Sequence, residues 1–347
     1  MRLRRKNKSV RHRGAERFLI LGAALVLAAC NGRHQPITFY GEAQGTYYSV
    51  SYIDPQGRNL QCQVDSLLAD FDQSASLWVD SSLLRRINAG LTDSLDPILY
   101  DLLRHSTNVS HYTQGAFNCC IGRIVQEWGF SFRQRQEPDS TQLQRLLQAA
   151  HAPIYIDNNS HVVRTDTLTE FDFNAIAQGY SVDLIAHMFD SLGIDNYLID
   201  VGGEVTAHGT KAGGHPWRVG IERPSADSVA APVVQAAIAL RDASVVTSGS
   251  YRKYYERDGV RYSHTIDPTT GRPVQHSLLS VSVVDSLCWR ADAMATAYMV
   301  MGLDSALAFI ASHPGEPGTG AVMFIYDSVG QLKTHTTKQF DKLIISQ

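Results

Sequence analysis

The spacing of apolar residues divides this chain into short stretches of two kinds. Residues 38–40 and 46–53 alternate apolar and polar side chains around Gly41 and Gly45, a period of two that predicts strands. Over residues 61–72 the apolar positions recur at helical spacing. Asp96-Pro97 is a helix start, with Asp as the cap and Pro at the first helical position, and the pattern runs to residue 113. Glu137-Pro138-Asp139-Ser140 opens another helix over 141–150, and short strands follow at 154–156 and 162–163. Residues 175–192 are amphipathic and stop at Gly193, a residue suited to the left-handed turn that ends a helix. Strands are then predicted at 197–201, 217–221, 233–240, 244–247 and 278–284. Two helices, 290–300 and 304–312, are broken by Gly302, and a strand at 322–326 closes the pattern. Helices and strands are interspersed without a βαβ rhythm, so the fold class is α+β rather than a doubly wound sheet. No repeat, low-complexity block or long linker interrupts it, which argues for a single body.

The start of the chain follows another rule. Arg2, Arg4, Arg5, Lys6, Lys8, Arg11, Arg13 and Arg17 are opposed only by Glu16, and an apolar run over 18–29 ends at Cys30. A basic segment, a short apolar segment and small residues together predict a secretory signal. The run is too short to cross about 30 Å of hydrocarbon, and no later apolar run of transmembrane length is expected. Leu27-Ala28-Ala29-Cys30 resembles a lipobox. Residues 1–29 then read as a lipoprotein signal peptide and 30–37 as lipidated Cys30 with a tether. An ordinary signal peptide with an incidental cysteine is the plainer alternative. The expected location is a membrane surface facing the periplasm.

Composition changes meaning once the leader is set aside. It holds 8 of the 31 basic residues and 1 of the 34 acidic ones, leaving 23 basic against 33 acidic, a formal charge of −10. That argues against a nucleic-acid partner or an anionic-membrane face, which need clustered Lys and Arg. Membrane attachment then rests on the lipid, durable where several acyl chains are present. Cys62, Cys119, Cys120 and Cys288 show no zinc-ligand spacing. An adjacent pair is an awkward disulfide set, so mostly buried thiols are expected.

Four segments carry candidate chemistry. In Ala291-Asp292-Ala293-Met294-Ala295-Thr296, Asp292 and Thr296 stand four apart, which puts a carboxylate and a hydroxyl on one helix face. Such oxygens can hold Mg²⁺ and leave room for substrate phosphates. A capping Asp with an ordinary buried Thr fits the same spacing. Residues 172–183, DFNAIAQGYSVD, lead an acidic residue into a helix whose first turn can meet a phosphate. A capped helix with Gly179 for close packing fits equally. At Asp200-Val201-Gly202-Gly203-Glu204 two glycines allow a sharp turn and close backbone approach, or merely a tight turn. Neither a dinucleotide fingerprint nor a Walker lysine is present. Thr247-Ser248-Gly249 and the loop around His264, closed by Asp267-Pro268, offer hydroxyls and a candidate general base.

Taken in order, these segments resemble the ApbE-type FAD:protein FMN transferases. The likeness begins at Ala43-Gln44-Gly45-Thr46 and continues through Leu84-Arg85-Arg86-Ile87-Asn88, Gly115-Ala116-Phe117-Asn118 and Trp128-Gly129-Phe130. It then takes in DFNAIAQGYSVD, IDVGGEV, WRVGIERP, VVTSGSY, HTIDPTTGRPV and ADAMATAYMVMG. The resemblance implies a T-fold-like catalytic body over 38–345. It also implies Mg²⁺-dependent cleavage of FAD, with FMN passing through its phosphate to a threonine hydroxyl and AMP leaving. Asp292, Thr296 and the Ala175 carbonyl would be the metal ligands. Gln44, Ala116, Phe117, Asn118, Asp172 and Gln178 would line the FAD pocket. Gly202, Gly203, Ser248 and Gly249 would approach the ligand. His264 and Ile266 would flank the flavin nucleotide, with His264 and Asp292 catalytic. The implied partners are exported flavoproteins, such as subunits of membrane redox complexes. Gln178, Gln44 and Asn118 depart from the family's usual lysine, methionine and aspartate. That leaves FAD hydrolysis to FMN and AMP, or a non-catalytic flavin carrier, as alternatives.

Overall fold

Eight strands run in chain order across one antiparallel sheet, and their register explains how the site is built. They are β1 (Ile37–Ala43), β2 (Thr46–Tyr52), β3 (Tyr197–Val201), β4 (Glu204–His208), β5 (Ala243–Gly249), β6 (Leu278–Asp285), β7 (Ala321–Ser328) and β8 (Gln331–Thr336). A computed structural model describes residues 35–130, 138–225, 233–250, 254–257 and 260–346. The leader, Cys30, residues 31–34, Glu137 and Tyr251 lie outside them. Pro36–Gln347 forms one compact unit of helices and antiparallel sheet, the α+β class that the pattern predicted.

The sheet is covered on both faces, as its period of two requires. On β7, Val322 and Phe324 enter the larger core, whereas Ala321, Met323 and Ile325 enter a second one. On β5, Val246 faces the first core and Val245 the second. The second core is closed by a three-stranded sheet of Trp217–Glu222, Val234–Leu240 and Ile344–Ser346. The helices are α1 (Gln61–Ala75), α2 (Leu83–Asn88), α3 (Pro97–Tyr112), α4 (Gly122–Glu127), α5 (Ser140–Ala150), α6 (Ala177–Ser191) and α7 (Cys288–Ser312). α4 and α5 pack in a small third core, and the others pack in the first. A short helix, α8 (Lys338–Asp341), follows β8.

Two caps formed where the sequence put them. The Asp96 side chain accepts from Leu99 N at 2.8 Å above Pro97, and Asp139 accepts from Thr141 and Gln142. The two predicted helices around Gly302 join into the 25-residue α7, bent where Gly302 takes φ 73°. His276 Nε2 donates to the Met299 carbonyl at 2.7 Å near that break. At this length and a mean hydropathy of 1.5, α7 is apolar enough to cross a membrane, contrary to the expectation from the sequence. It packs instead on β5, β6 and α6 inside the body, with Ala291, Ala293, Ala295 and Ala297 fully buried. The thiols of Cys119, Cys120 and Cys288 are buried as expected, and Cys62 is exposed.

One half-buried ion pair ties the chain after β2 to the end of α6. Asp54, only 1 % exposed, accepts from Arg58 Nε at 2.8 Å and Nη2 at 2.9 Å, and Nη2 also donates to the Leu192 carbonyl. The Arg58 hydrogen bonds hold the Asp54 carboxyl well below the usual carboxylate range. A depressed folded value adds stability above the unfolded value and loses it as pH falls. Asp54→Asn is therefore expected to lower Tm most at neutral pH. The gap to the parent should narrow below about pH 4, the ordinary carboxylate range. A Tm gap that widened on acidification would refute the assignment.

Candidate active site

The site begins with how α7 is held. Asp183, on α6, accepts from Cys288 N at 3.0 Å and Trp289 N at 2.8 Å, so a neighbouring helix caps the first turn of α7. Burial pushes the Asp183 carboxyl up to about 6. One turn further on, Asp292 is 4 % exposed and accepts from the Gly179 N–H at 3.1 Å. A regular helix would give that N–H to the Ala175 carbonyl, four residues back. The predicted start at residue 175 is therefore corrected: α6 begins at Ala177, and the Ala175 carbonyl lacks its helical donor.

Gly179 serves both readings that the sequence left open. A Cβ there would meet the Cys288 carbonyl oxygen at 2.6 Å and Asp292 Cβ at 2.9 Å. Its absence lets α6 and α7 touch, and its N–H orients the carboxylate. Gly179→Ala is expected to destabilise the protein by about 2–3 kcal/mol through overpacking against backbone. Urea unfolding checks this, and a change under about 0.5 kcal/mol would count against the tight contact.

Thr296 lies one helical turn beyond Asp292, and its Oγ1 is 3.1 Å from Ser248 Oγ on β5. Ser248 shares a face of β5 with Val246, which explains why it points toward α7. Thr247 turns the other way and bonds to Ser282 Oγ at 2.7 Å. Burial raises the Asp292 carboxyl well above the usual carboxylate range, and nearby Asp183 adds to that. No Lys or Arg among the described residues pairs with it. Nor do three His, Cys, Asp or Glu side chains converge among those residues, so the donors here are one carboxylate plus neutral oxygens.

A cavity of about 720 Å³ opens over these groups. Its wall brings together Gln44, Ala116, Phe117, Asn118, Asp172, Ala175, Gln178, Gly202, Ser248, Gly249, His264, Ile266, Asp292 and Thr296, segments scattered from one end of the chain to the other. Gly203 is absent from that wall. Its φ of 109° makes the turn, and its N–H donates to Asp200 Oδ1 at 2.9 Å. Gly202 is on the wall, and a Cβ there would strike Gln178 Nε2 at 2.1 Å. Asn118 has both amide ends committed to the protein, Nδ2 to the Ala150 carbonyl and Oδ1 to Cys120 N, so it braces the loop. Asp172 is also braced, with Oδ1 accepting from Asn174 N, and burial raises its carboxyl.

His264 sits on a loop fixed from several sides. Asp267 accepts from Thr269 N and Thr270 Oγ1, and Val274 N donates to the Thr265 carbonyl at 3.0 Å. Trp128 Nε1 donates to the Gly271 carbonyl at 2.7 Å, while Ile266 packs with Trp128, Leu143 and Leu146 in a small third core. Sequence reasoning missed Trp78, Phe130, Glu204 and Met299, which also line the cavity. The signal for Glu204 was its place directly after the glycine turn; Trp78 and Met299 carried none.

The chain is similar to known proteins along most of its length. The ApbE family profile matches residues 44–319. The chain belongs to the ApbE family. It is 35 % identical over 304 residues to the FAD:protein FMN transferase of Vibrio cholerae, covering 84 % of this chain and 89 % of that one. It is 30 % identical over 352 residues to the Escherichia coli K12 protein of the same name, covering 95 % and 98 %. Among solved structures, the apo flavinyl transferase ApbE of Pseudomonas stutzeri superposes with a TM-score of 0.79 at 31 % identity, covering 90 % of this chain and 98 % of that one. The ApbE flavin transferase of V. cholerae gives 0.77 at 30 % identity, with 89 % and 99 % covered. The ApbE match spans the whole cavity wall from Gln44 to Val300.

Proposed function

We propose that this chain transfers FMN from FAD to a threonine hydroxyl of an exported flavoprotein, with Mg²⁺ and with release of AMP. Transfer of FMN from FAD to a protein is the activity named for its relatives at 30–35 % identity over most of the chain. The observation that carries the finer reading is the grouping of Asp292, Thr296, Ser248 and the freed Ala175 carbonyl on one cavity wall. These donors fit Mg²⁺, a hard cation that takes few carboxylates and keeps positions for substrate phosphates. When bound, Mg²⁺ would neutralise phosphate charge and polarise the phosphoryl oxygens.

The chain's own residues have separate tasks. Asp292 and Thr296 would hold the metal, and the Gly179 N–H fixes the carboxylate's orientation. His264 takes the proton from the acceptor hydroxyl as its oxygen bonds to the FMN phosphorus. The bond from that phosphorus to the bridging oxygen breaks, and AMP leaves with that oxygen and the bonding pair. Rate comes from positioning and charge neutralisation, as is usual for phosphoryl transfer. The same proposal makes residues 38–345 the catalytic body, 1–29 a removed leader and Cys30 a lipid anchor. Anchoring would confine enzyme and exported acceptor to one surface, raising their effective concentration.

The test incubates the protein with FAD, Mg²⁺ and a threonine-bearing acceptor flavoprotein, following AMP and acid-stable flavin on the acceptor. Transfer predicts both products. AMP with free FMN alone would make the chain a FAD pyrophosphatase, and neither product would make it a carrier.

A further inference from the structure

Beside the His264 loop lies a second cavity, of about 360 Å³, outside the pocket assigned to FAD. Asp267, Thr270, Arg272, Gln275, His276 and Val300 line it. The loop is the partition between the two. Its residues Ile266–Asp267 pair with Arg272–Pro273 as a short antiparallel ribbon, and neighbours along an extended strand point to opposite sides. Ile266 accordingly lines the first cavity and Asp267 the second. Val300 on α7 lines both, so one wall runs on into the other.

Transfer to a protein needs two substrates in place at once, a nucleotide and a polypeptide hydroxyl. The second cavity has what a polypeptide requires. Thr270, Arg272, Gln275 and His276 are exposed, so a segment of a folded protein can reach them. Extended chain presents N–H and C=O groups together, and its recognition calls for donors and acceptors side by side. Gln275 supplies both, and Arg272 supplies donors. His276 Nε2 donates to the Met299 carbonyl, which leaves Nδ1 of the neutral ring as an acceptor.

Charge narrows the partner further. Asp267 accepts from Thr269 N through Oδ1 and from Thr270 Oγ1 through Oδ2, so this carboxylate holds the loop. The Arg272 guanidinium stands at the exposed rim. A cation there favours a carboxylate on the incoming chain.

We propose that the second cavity is the acceptor site: it holds the polypeptide flanking the target threonine, with an acidic side chain of that polypeptide on Arg272. The threonine hydroxyl then comes round the loop to His264 while FAD keeps the first cavity. This rests on the proposal that FMN passes to a threonine hydroxyl.

The experiment uses purified full-length chain as the parent, Arg272→Gln and Arg272→Glu, with FAD and Mg²⁺. The acceptors are short segments of Gly and Ala with one central threonine, fused to the C-terminus of a carrier protein. Each carries a single Asp or a single Lys at one position near the threonine, and one carries neither. Acid-stable flavin on the carrier gives kcat/KM, and a titration gives FAD affinity. In the parent, Asp at one flanking position should raise kcat/KM about 3- to 5-fold over the uncharged segment, the upper range for an exposed ion pair. Arg272→Gln should lose that preference, and Arg272→Glu should turn it toward Lys at the same position. FAD affinity should stay within about twofold of the parent's in both, as for most surface substitutions.

A parent with no charge preference would overturn the inference, as would a preference for Asp that survives in Arg272→Glu; transfer itself would stand in either case. Loss of FAD affinity in proportion to transfer would also overturn it, making Arg272 a brace of the His264 loop. So would flavin on an acceptor flavoprotein but on none of the segments, because the residues flanking the threonine would then not be what is read. AMP and free FMN, with no flavin on any segment or on the flavoprotein, would overturn both proposals together.

Discussion

Asp292→Asn is expected to cut FMN transfer by about a thousandfold, roughly 4 kcal/mol of transition-state stabilisation at 1.36 kcal/mol per tenfold. Asp292 is buried on the cavity wall, and its neighbours there are neutral oxygens of Thr296, Ser248 and Ala175. Replacing the carboxylate by an amide removes the one negative charge of that donor group while keeping its shape. The amide oxygen can still accept the Gly179 N–H, so the contact between α6 and α7 survives. Stability should change little or rise, because an uncompensated buried charge is lost. Calorimetric titration of Mg²⁺ separates this from misfolding. The parent should show saturable Mg²⁺ binding in the presence of AMP, and the variant should not. Full transfer activity in a folded Asp292→Asn protein would sink the metal assignment.

His264→Ala should have the second-largest effect, with transfer to the acceptor falling by about 10²-fold or more, the range for loss of a general base. Its loop is anchored through Asp267, Thr265 and the Trp128–Gly271 bond, none of which needs the imidazole. FAD affinity should therefore stay within a few-fold of the parent's. The distinguishing readout is the split between binding and chemistry: kcat for flavin attachment falls while the FAD titration holds. Equal loss of FAD affinity and transfer would make His264 a nucleotide-binding residue only.

Much of this site could be read along the chain, because its chemistry is local. Asp292 and Thr296 share a helix face by spacing alone, and Asp96-Pro97 and Asp139 cap their helices as the sequence indicated. The glycine turn at 202–203 was legible too, since positive φ at both positions demands glycine. The missed elements have weak signals. β8 is polar along most of its length, and β4 follows its turn so closely that it reads as loop. The break at Gly302 was visible, but its meaning was not. A bend and two separate helices look alike until the flanks are packed against one sheet.

Amphipathic period, capping residues and motif order determined by themselves that the chain is α+β, that it resembles the ApbE family and that Asp292 and Thr296 pair on one helix. These are properties of neighbours in sequence, set by backbone geometry within a turn or two. Only the tertiary structure decided which of two meanings each local feature has. Gly179 became both spacer and donor because α7 passes within contact of α6, and that crossing released the Ala175 carbonyl. Ser248 faced Thr296 because β5 lies under α7 in a register that the eight-strand sheet imposes. Asn118 turned inward to brace its loop, with both amide ends bonded to the protein. Most of these outcomes depend on partners in other elements, in the case of Gly179 and Asp292 113 residues apart. They are fixed by close packing and by where each buried donor finds an acceptor, and neither is written in the local sequence.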